Sequence, residues 1–140
     1  MSGKAFIDSN IFIYAYNNQD PRKQIAAFDL IRENTIDGTG VVSYQVVHEF
    51  FHFALVKAAS KVRSDDAQVL LEEVFRALQM VPSSFSLISD AIRIHQRHHL
   101  SWYDSLIVAA AQQAGCDILY TEDLQHGQQF GTVRVQNPFL

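Results

Sequence analysis

Short apolar runs alternate with longer stretches of helical periodicity along the whole chain, and this alternation limits the possible folds more than any other feature. Runs at 4–8, 40–43, 117–121 and 132–135 read as strands, with 80–82 as a further short one. Between them, Val47, Phe50, Phe51, Ala54, Leu55 and Ala58 recur at helical spacing through 44–59. Asp20-Pro21 opens an earlier helix, with Ile25, Phe28, Leu30 and Ile31 at its apolar positions and Gly38 beyond its end. Helices are also expected at 9–16 (with Ser9 as N-cap), 65–79, 84–98 and 103–114, the last two separated by a turn at His98-His99-Leu100. Strands that alternate with helices form a sheet covered on both faces, so the expected fold is α/β, a three-layer α/β/α sandwich around a central parallel sheet. No repeat, low-complexity tract or Pro/Gly/Ser linker interrupts the chain, and 1–140 is expected to be a single domain. Ligands of such sheets bind beyond the carboxyl ends of the strands. Asp8 ends the first strand and Asp123 lies just past the fourth, so the two should share a site.

Composition excludes several classes. Apolar residues make up 48% of the 140 positions and charged ones 19%, a globular balance rather than a disordered one. The lone Cys116 cannot form an internal disulfide and gives no support to a cysteine-built metal site. No segment approaches the ~18 apolar residues that cross a bilayer. Asp8 and Asn10 precede the apolar run Ile11-Phe12-Ile13, where a signal peptide would carry lysine or arginine, so the expected location is cytoplasmic. A formal charge of −4 argues against a protein that coats duplex DNA, but not against an enzyme that cuts nucleic acid.

Four acids then stand out. Asp8, directly after a buried strand, is desolvated unless a cation or a helix start compensates it; the plainer alternative is a helix cap. Asp104 sits in Ser101-Trp102-Tyr103-Asp104, which also fits a capping box. Asp123 follows Thr121 and reads equally as a turn acid. Glu49 lies on the stripe Gln45–His48–Glu49–His52, outside the apolar face, where a solvated side chain is common. Each acid nevertheless falls where its element would deliver it to one edge of the sheet. Clustered carboxylates stay ionised only with bound cations, and oxygen ligands suit Mg²⁺ or Mn²⁺, which also meet substrate phosphates.

These motifs resemble the PIN-domain family, and most closely its VapC-type ribonuclease toxins of toxin–antitoxin pairs. The matching parts run over nearly the whole chain: Phe6-Ile7-Asp8-Ser9-Asn10, Ser43-x-Gln45-x-x-x-Glu49, Trp102-Tyr103-Asp104 and Leu119-Tyr120-Thr121-Glu122-Asp123-Leu124. Ser9 stands where threonine is common in the family, which keeps the hydroxyl. The resemblance implies a parallel sheet between helices and Mg²⁺- or Mn²⁺-dependent hydrolysis of single-stranded RNA. It also implies homodimerisation and inhibition by a small antitoxin protein. By position, it makes Asp8, Glu49, Asp104 and Asp123 the catalytic metal ligands, with Asn10 and Thr121 as supporting polar groups.

Other readings compete. His48-Glu49-Phe50-Phe51-His52 spells the H-E-x-x-H of zinc peptidases, with Glu72 or Glu73 available as a third ligand. That reading leaves Asp8, Asp104 and Asp123 without a role. A PIN-like module that binds without cutting is a third possibility, although the acid set is complete. A receiver-type phosphoacceptor domain would need a late lysine after a strand, and Lys61 is the last. Arg93 and Arg97, four apart on one helix face, are the candidates for RNA phosphate contact, with Lys57, Lys61 and Arg63 as a looser group.

Overall fold

The computed structural model describes residues 3–17 and 19–140. Five parallel strands and one antiparallel edge strand form a single sheet in the order β3-β2-β1-β4-β6-β5. The strands are β1 (Ala5–Ile7), β2 (Gly40–Ser43), β3 (Gln79–Val81), β4 (Ile118–Tyr120), β5 (Gln129–Phe130) and β6 (Val133–Gln136). Helices α1 (Ser9–Ala15), α2 (Pro21–Ile36), α3 (Tyr44–His52) and α4 (Ser64–Glu73) lie in the connections that step outward from β1 through β2 to β3. Helices α5 (Phe85–His98) and α6 (Trp102–Gln113) lie in the connection that returns from β3 across the sheet to β4. Parallel crossovers are right-handed, so reversing the direction of travel moves the helices to the other face. Packing agrees with this: α1 contacts α2 and α3, while α5 contacts α6. The three-layer α/β/α arrangement expected from the sequence is therefore the observed one.

β1 and β4 are neighbours, but the chain leaves them in opposite directions, which makes the gap beyond their carboxyl ends the topological switch point of the sheet. Both strands are short and apolar, and Phe6, Ile7 and Leu119 are fully buried. Phe12 of α1 and Phe50 of α3 meet Phe75, with ring centroids 4.9 and 5.3 Å away, and this aromatic cluster fastens the first helical layer. Gly40 opens β2 because a Cβ there would lie 2.6 Å from Leu78 Cδ2.

Several local expectations need correction. Asp8, not Ser9, is the N-cap of α1: its backbone is extended and its Oδ1 accepts from the Ser9 amide at 2.7 Å. The helix at 44–59 stays α-helical only to His52 and continues as a π-helical turn over Phe53–Lys57, a difference in hydrogen bonding that apolar periodicity does not encode. The expected 65–79 helix ends at Glu73, and a 3-10 turn, Phe75–Ala77, leads into β3. The turn after α5 works through His99, which takes the left-handed conformation at φ 57° as its C-cap. Among the described residues no helix is long and apolar enough to cross a membrane.

Candidate metal-binding site

The loops beyond β1 and β4, the exposed side of α3 and the first turn of α6 meet at the switch point. Asp8 is 4% exposed and uses both carboxylate oxygens. Oδ1 caps α1, and Oδ2 accepts from Thr121 Oγ1 at 2.8 Å. Thr121 is itself fully buried, and its hydroxyl oxygen also accepts from the Asp123 amide at 3.1 Å and from Asn10 Nδ2 at 3.3 Å. Asn10 Nδ2 reaches Asp123 Oδ2 as well, at 3.1 Å. One hydroxyl thus ties the end of β1 to the loop after β4, using its donor and its two acceptor positions.

Glu49 arrives from α3, where Ser43 caps the helix by accepting from the Val46 amide. Ser9 Oγ lies 3.4 Å from both Asp8 Oδ1 and Glu49 Oε1, and Gln45 Nε2 donates to Glu49 at 3.4 Å and to the Tyr103 carbonyl at 3.3 Å. Gln45 therefore links α3 to the start of α6. There Ser101 caps the helix by accepting from the Asp104 amide at 3.2 Å, so the capping half of the expected box is present. It leaves the Asp104 carboxylate available to the site.

The acids feel one another. Burial pushes the Asp8 carboxyl up to about 7; Thr121 and Ser9 oppose the shift, and the charges of Asp123 and Glu49 add to it. Burial also raises Glu49, against hydrogen bonds from Gln45 and Ser9 and with help from the charges of Asp123 and Asp104. Asp123 is raised by burial, opposed by Asn10 and reinforced by Asp104 and Glu122. Glu49 and Asp123 each feel the charge of Asp104, and Asp8 feels the charges of Glu49 and Asp123. Among the described residues no ion pair involves any of these four, and the one on the adjoining loop position joins Lys23 to Glu122.

The donor set fits a hard divalent cation. It consists of oxygens, and Asn10 Oδ1 is buried without a partner, an acceptor suited to an ion's hydration shell. Among the described residues no three His, Cys, Asp or Glu side chains close into a complete ligand group.

The remaining candidates lie elsewhere. His48 is exposed and rests edge-on against the Tyr44 ring at 4.3 Å, and among the described residues no third ligand gathers with His48 and His52, so the zinc arrangement does not form. Arg93 pairs with Asp90 and lines a groove with Arg97, His98, Gln112, Gln129 and Gly131. Gln112 belongs to the last turn of α6 and Asp104 to its first, about 12 Å apart along the axis. The arginines are thus not brought to the acids. The sequence placed Ser9 as a helix cap and Gln45 in a family-like motif but pointed to no contact of either with Glu49, and it gave Glu122 no role. Gln45 could have been found from its spacing four before Glu49, whereas Glu122 gave no signal beyond adjacency to Asp123.

A model of the PIN domain family matches residues 5–128 of this chain. In fold the chain is similar to a toxin–antitoxin complex from Klebsiella pneumoniae (TM-score 0.67, 15% identity, covering 96% of this chain and 98% of that chain). It is similar also to VapC20 of Mycobacterium tuberculosis, a toxin that cleaves the sarcin-ricin loop (TM-score 0.63, 14% identity, 86% and 92% covered). A third similar structure is VapBC2 from Rickettsia felis bound to a DNA fragment of its promoter (TM-score 0.68, 15% identity, 95% and 97% covered). No curated protein matches the chain.

Proposed function

The chain belongs to the PIN domain family, and from that premise we propose that it is a Mg²⁺- or Mn²⁺-dependent endoribonuclease acting on single-stranded RNA, the toxin of a toxin–antitoxin pair. In this reading the whole of 1–140 is one nuclease domain that works in the cytoplasm. The observation that carries it is the buried Asp8, whose carboxyl is pushed up to about 7 beside the charges of Asp123 and Glu49. A buried acid among like charges is stabilised when a cation joins it, and such a cation can activate water and stabilise charge in phosphodiester cleavage.

Asp8, Glu49, Asp104 and Asp123 would hold the ion, and Asn10 and Thr121 would fix the direction of the acids. When bound, the ion supplies an activated water and charge stabilisation at the phosphate. Ser9 and Gln45 restrict Glu49, so its carboxylate would meet the ion with little reorganisation. Arg93 and Arg97, at the far end of α6, suit phosphates away from the one being cut.

Exposed apolar stripes support the expected partners. Phe85, Ile88 and Ile92 follow one face of α5, with Phe85 91% exposed, and suit a homodimer. Ile25, Phe28 and Ile36 follow α2, beside a groove with Tyr16, Ile31 and Val74, and suit an apolar antitoxin helix. The reading is tested by incubating purified protein with single-stranded RNA, first with chelator and then with Mg²⁺ or Mn²⁺ restored. Cleavage only after metal is restored supports it, and metal-independent or absent cleavage contradicts it.

A further inference from the structure

α1 presents Asn10 and Tyr14 four residues apart, hence on one face, and two consecutive acids of the loop after β4 dock onto them. Asn10 holds Asp123 at 3.1 Å, and Tyr14 Oη donates to Glu122 Oε1 at 2.5 Å. From α2, Lys23 Nζ takes the other oxygen of Glu122 at 3.0 Å and also reaches Tyr14 Oη at 3.2 Å. The same ammonium lies 4.6 Å from the centre of the Tyr14 ring and 5.2 Å from that of Phe139, and these two rings meet edge to face at 5.0 Å. Glu122 is therefore gripped through both oxygens by two helices, with the C-terminal segment closing over the cation. Nothing in the metal-binding reading uses this cluster.

We propose that Glu122, clamped by Tyr14 and Lys23, is a positioning residue that holds Asp123 at its distance from Asp8 and keeps its own carboxylate out of the ligand set. The proposal rests on the reading of Asp123 as a metal ligand. Two neighbouring acids on one short loop could exchange places at a cation. Engaging Glu122 fully on Tyr14 and Lys23 leaves Asp123 as the loop acid whose charge acts on Asp8 and Glu49. Lys23 also offsets part of the Glu122 charge, which still raises Asp123.

The sign of one substitution separates positioning from simple charge. Lys23→Met adds net negative charge near the acids, so a purely electrostatic role would tighten cation binding. A positioning role loosens it, because the freed Glu122 no longer anchors the loop. Binding of Mn²⁺ alone, followed by calorimetry on the full chain without RNA, reads this directly. We expect Lys23→Met and Tyr14→Phe to weaken Mn²⁺ about tenfold, as loss of an orienting partner does. Lys23→Arg should restore most of the affinity, with melting curves verifying that each variant is folded. Asp123→Asn is the reference: if wild type does not bind Mn²⁺, or Asp123→Asn binds it equally well, the metal-site reading itself fails and takes the proposal with it. If Asp123→Asn weakens binding while Lys23→Met binds as tightly as wild type or more tightly, the clamp alone is overturned.

Discussion

Thr121 donates its hydroxyl to Oδ2 of Asp8 at 2.8 Å across the parallel pair of β1 and β4, joining the two strands where the sheet reverses direction. The same oxygen receives the Asp123 amide and the Asn10 side chain. Thr121→Val keeps the shape of this fully buried side chain but removes all three hydrogen bonds. It should cost about 1–3 kcal/mol of stability, the range for buried polar groups left unpaired. It should also weaken Mn²⁺ binding at least tenfold, while Thr121→Ser stays near wild type. Chemical denaturation and metal titration of the three proteins check both effects.

The raised Asp8 carboxyl makes metal-free stability depend on pH with a definite sign. Its pKa rises from 3.8 to about 7, so between those values the folded protein keeps a proton that the unfolded chain releases. Stability of the metal-free protein should then fall as pH rises from about 4 through 7, by on the order of 3–4 kcal/mol from this group. Asp8→Asn should flatten that slope and raise the melting temperature at pH 8. Cation affinity of the wild type should increase over the same pH interval, because binding displaces the proton. Melting curves and Mn²⁺ titrations from pH 5 to pH 8 test the paired trends.

His48 distinguishes nuclease from peptidase. It stands exposed against Tyr44, on the stripe of α3 that also carries Glu49. His48→Ala should retain Mg²⁺- or Mn²⁺-supported RNA cleavage within a factor of about 2, as expected for an exposed side chain outside the proposed ligand set. Stoichiometric zinc in the purified protein, lost in that variant together with peptide hydrolysis, would contradict the nuclease reading.

Arg93 and Arg97 should act on RNA capture rather than on chemistry. Replacing both with glutamine should weaken binding of long single-stranded RNA and lower its salt dependence, by a slope of about 0.7 for each phosphate no longer neutralised. Metal affinity and cleavage of very short RNA should not change, since the groove lies at the far end of α6 from Asp104. Binding titrations at several salt concentrations with an Asp104→Asn background measure this.

The sequence carried the strand order less well than it carried the strands. β2 was legible because Gly40–Ser43 is a short apolar run that ends in a helix cap. The two-residue β5 was not, because it exists only through its antiparallel pairing with β6. Asp8 displaced Ser9 as the cap because both side chains can accept from the helix start, and local sequence does not say which is nearer. That Asp8 and Asp123 lie at one end of the sheet was legible from where each falls relative to a strand end. The clamp on Glu122 was not legible, since it depends on α1, α2 and the chain end meeting at one loop. Arginine spacing on α5 correctly predicted a shared face but could not predict which end of the sheet that face adjoins.

If Asp8, Glu49, Asp104 and Asp123 hold a divalent ion for RNA cleavage, loss of any one carboxylate removes the activity. This is tested most directly by comparing wild type with Asp8→Asn and Asp104→Asn on single-stranded RNA in Mg²⁺ or Mn²⁺, with circular dichroism showing that each is folded. We expect metal-dependent cleavage by the wild type and a loss of at least about a hundredfold in either variant, equivalent to roughly 2.7 kcal/mol of lost barrier lowering. Folded variants that cut as fast as wild type would contradict the assignment of these ligands.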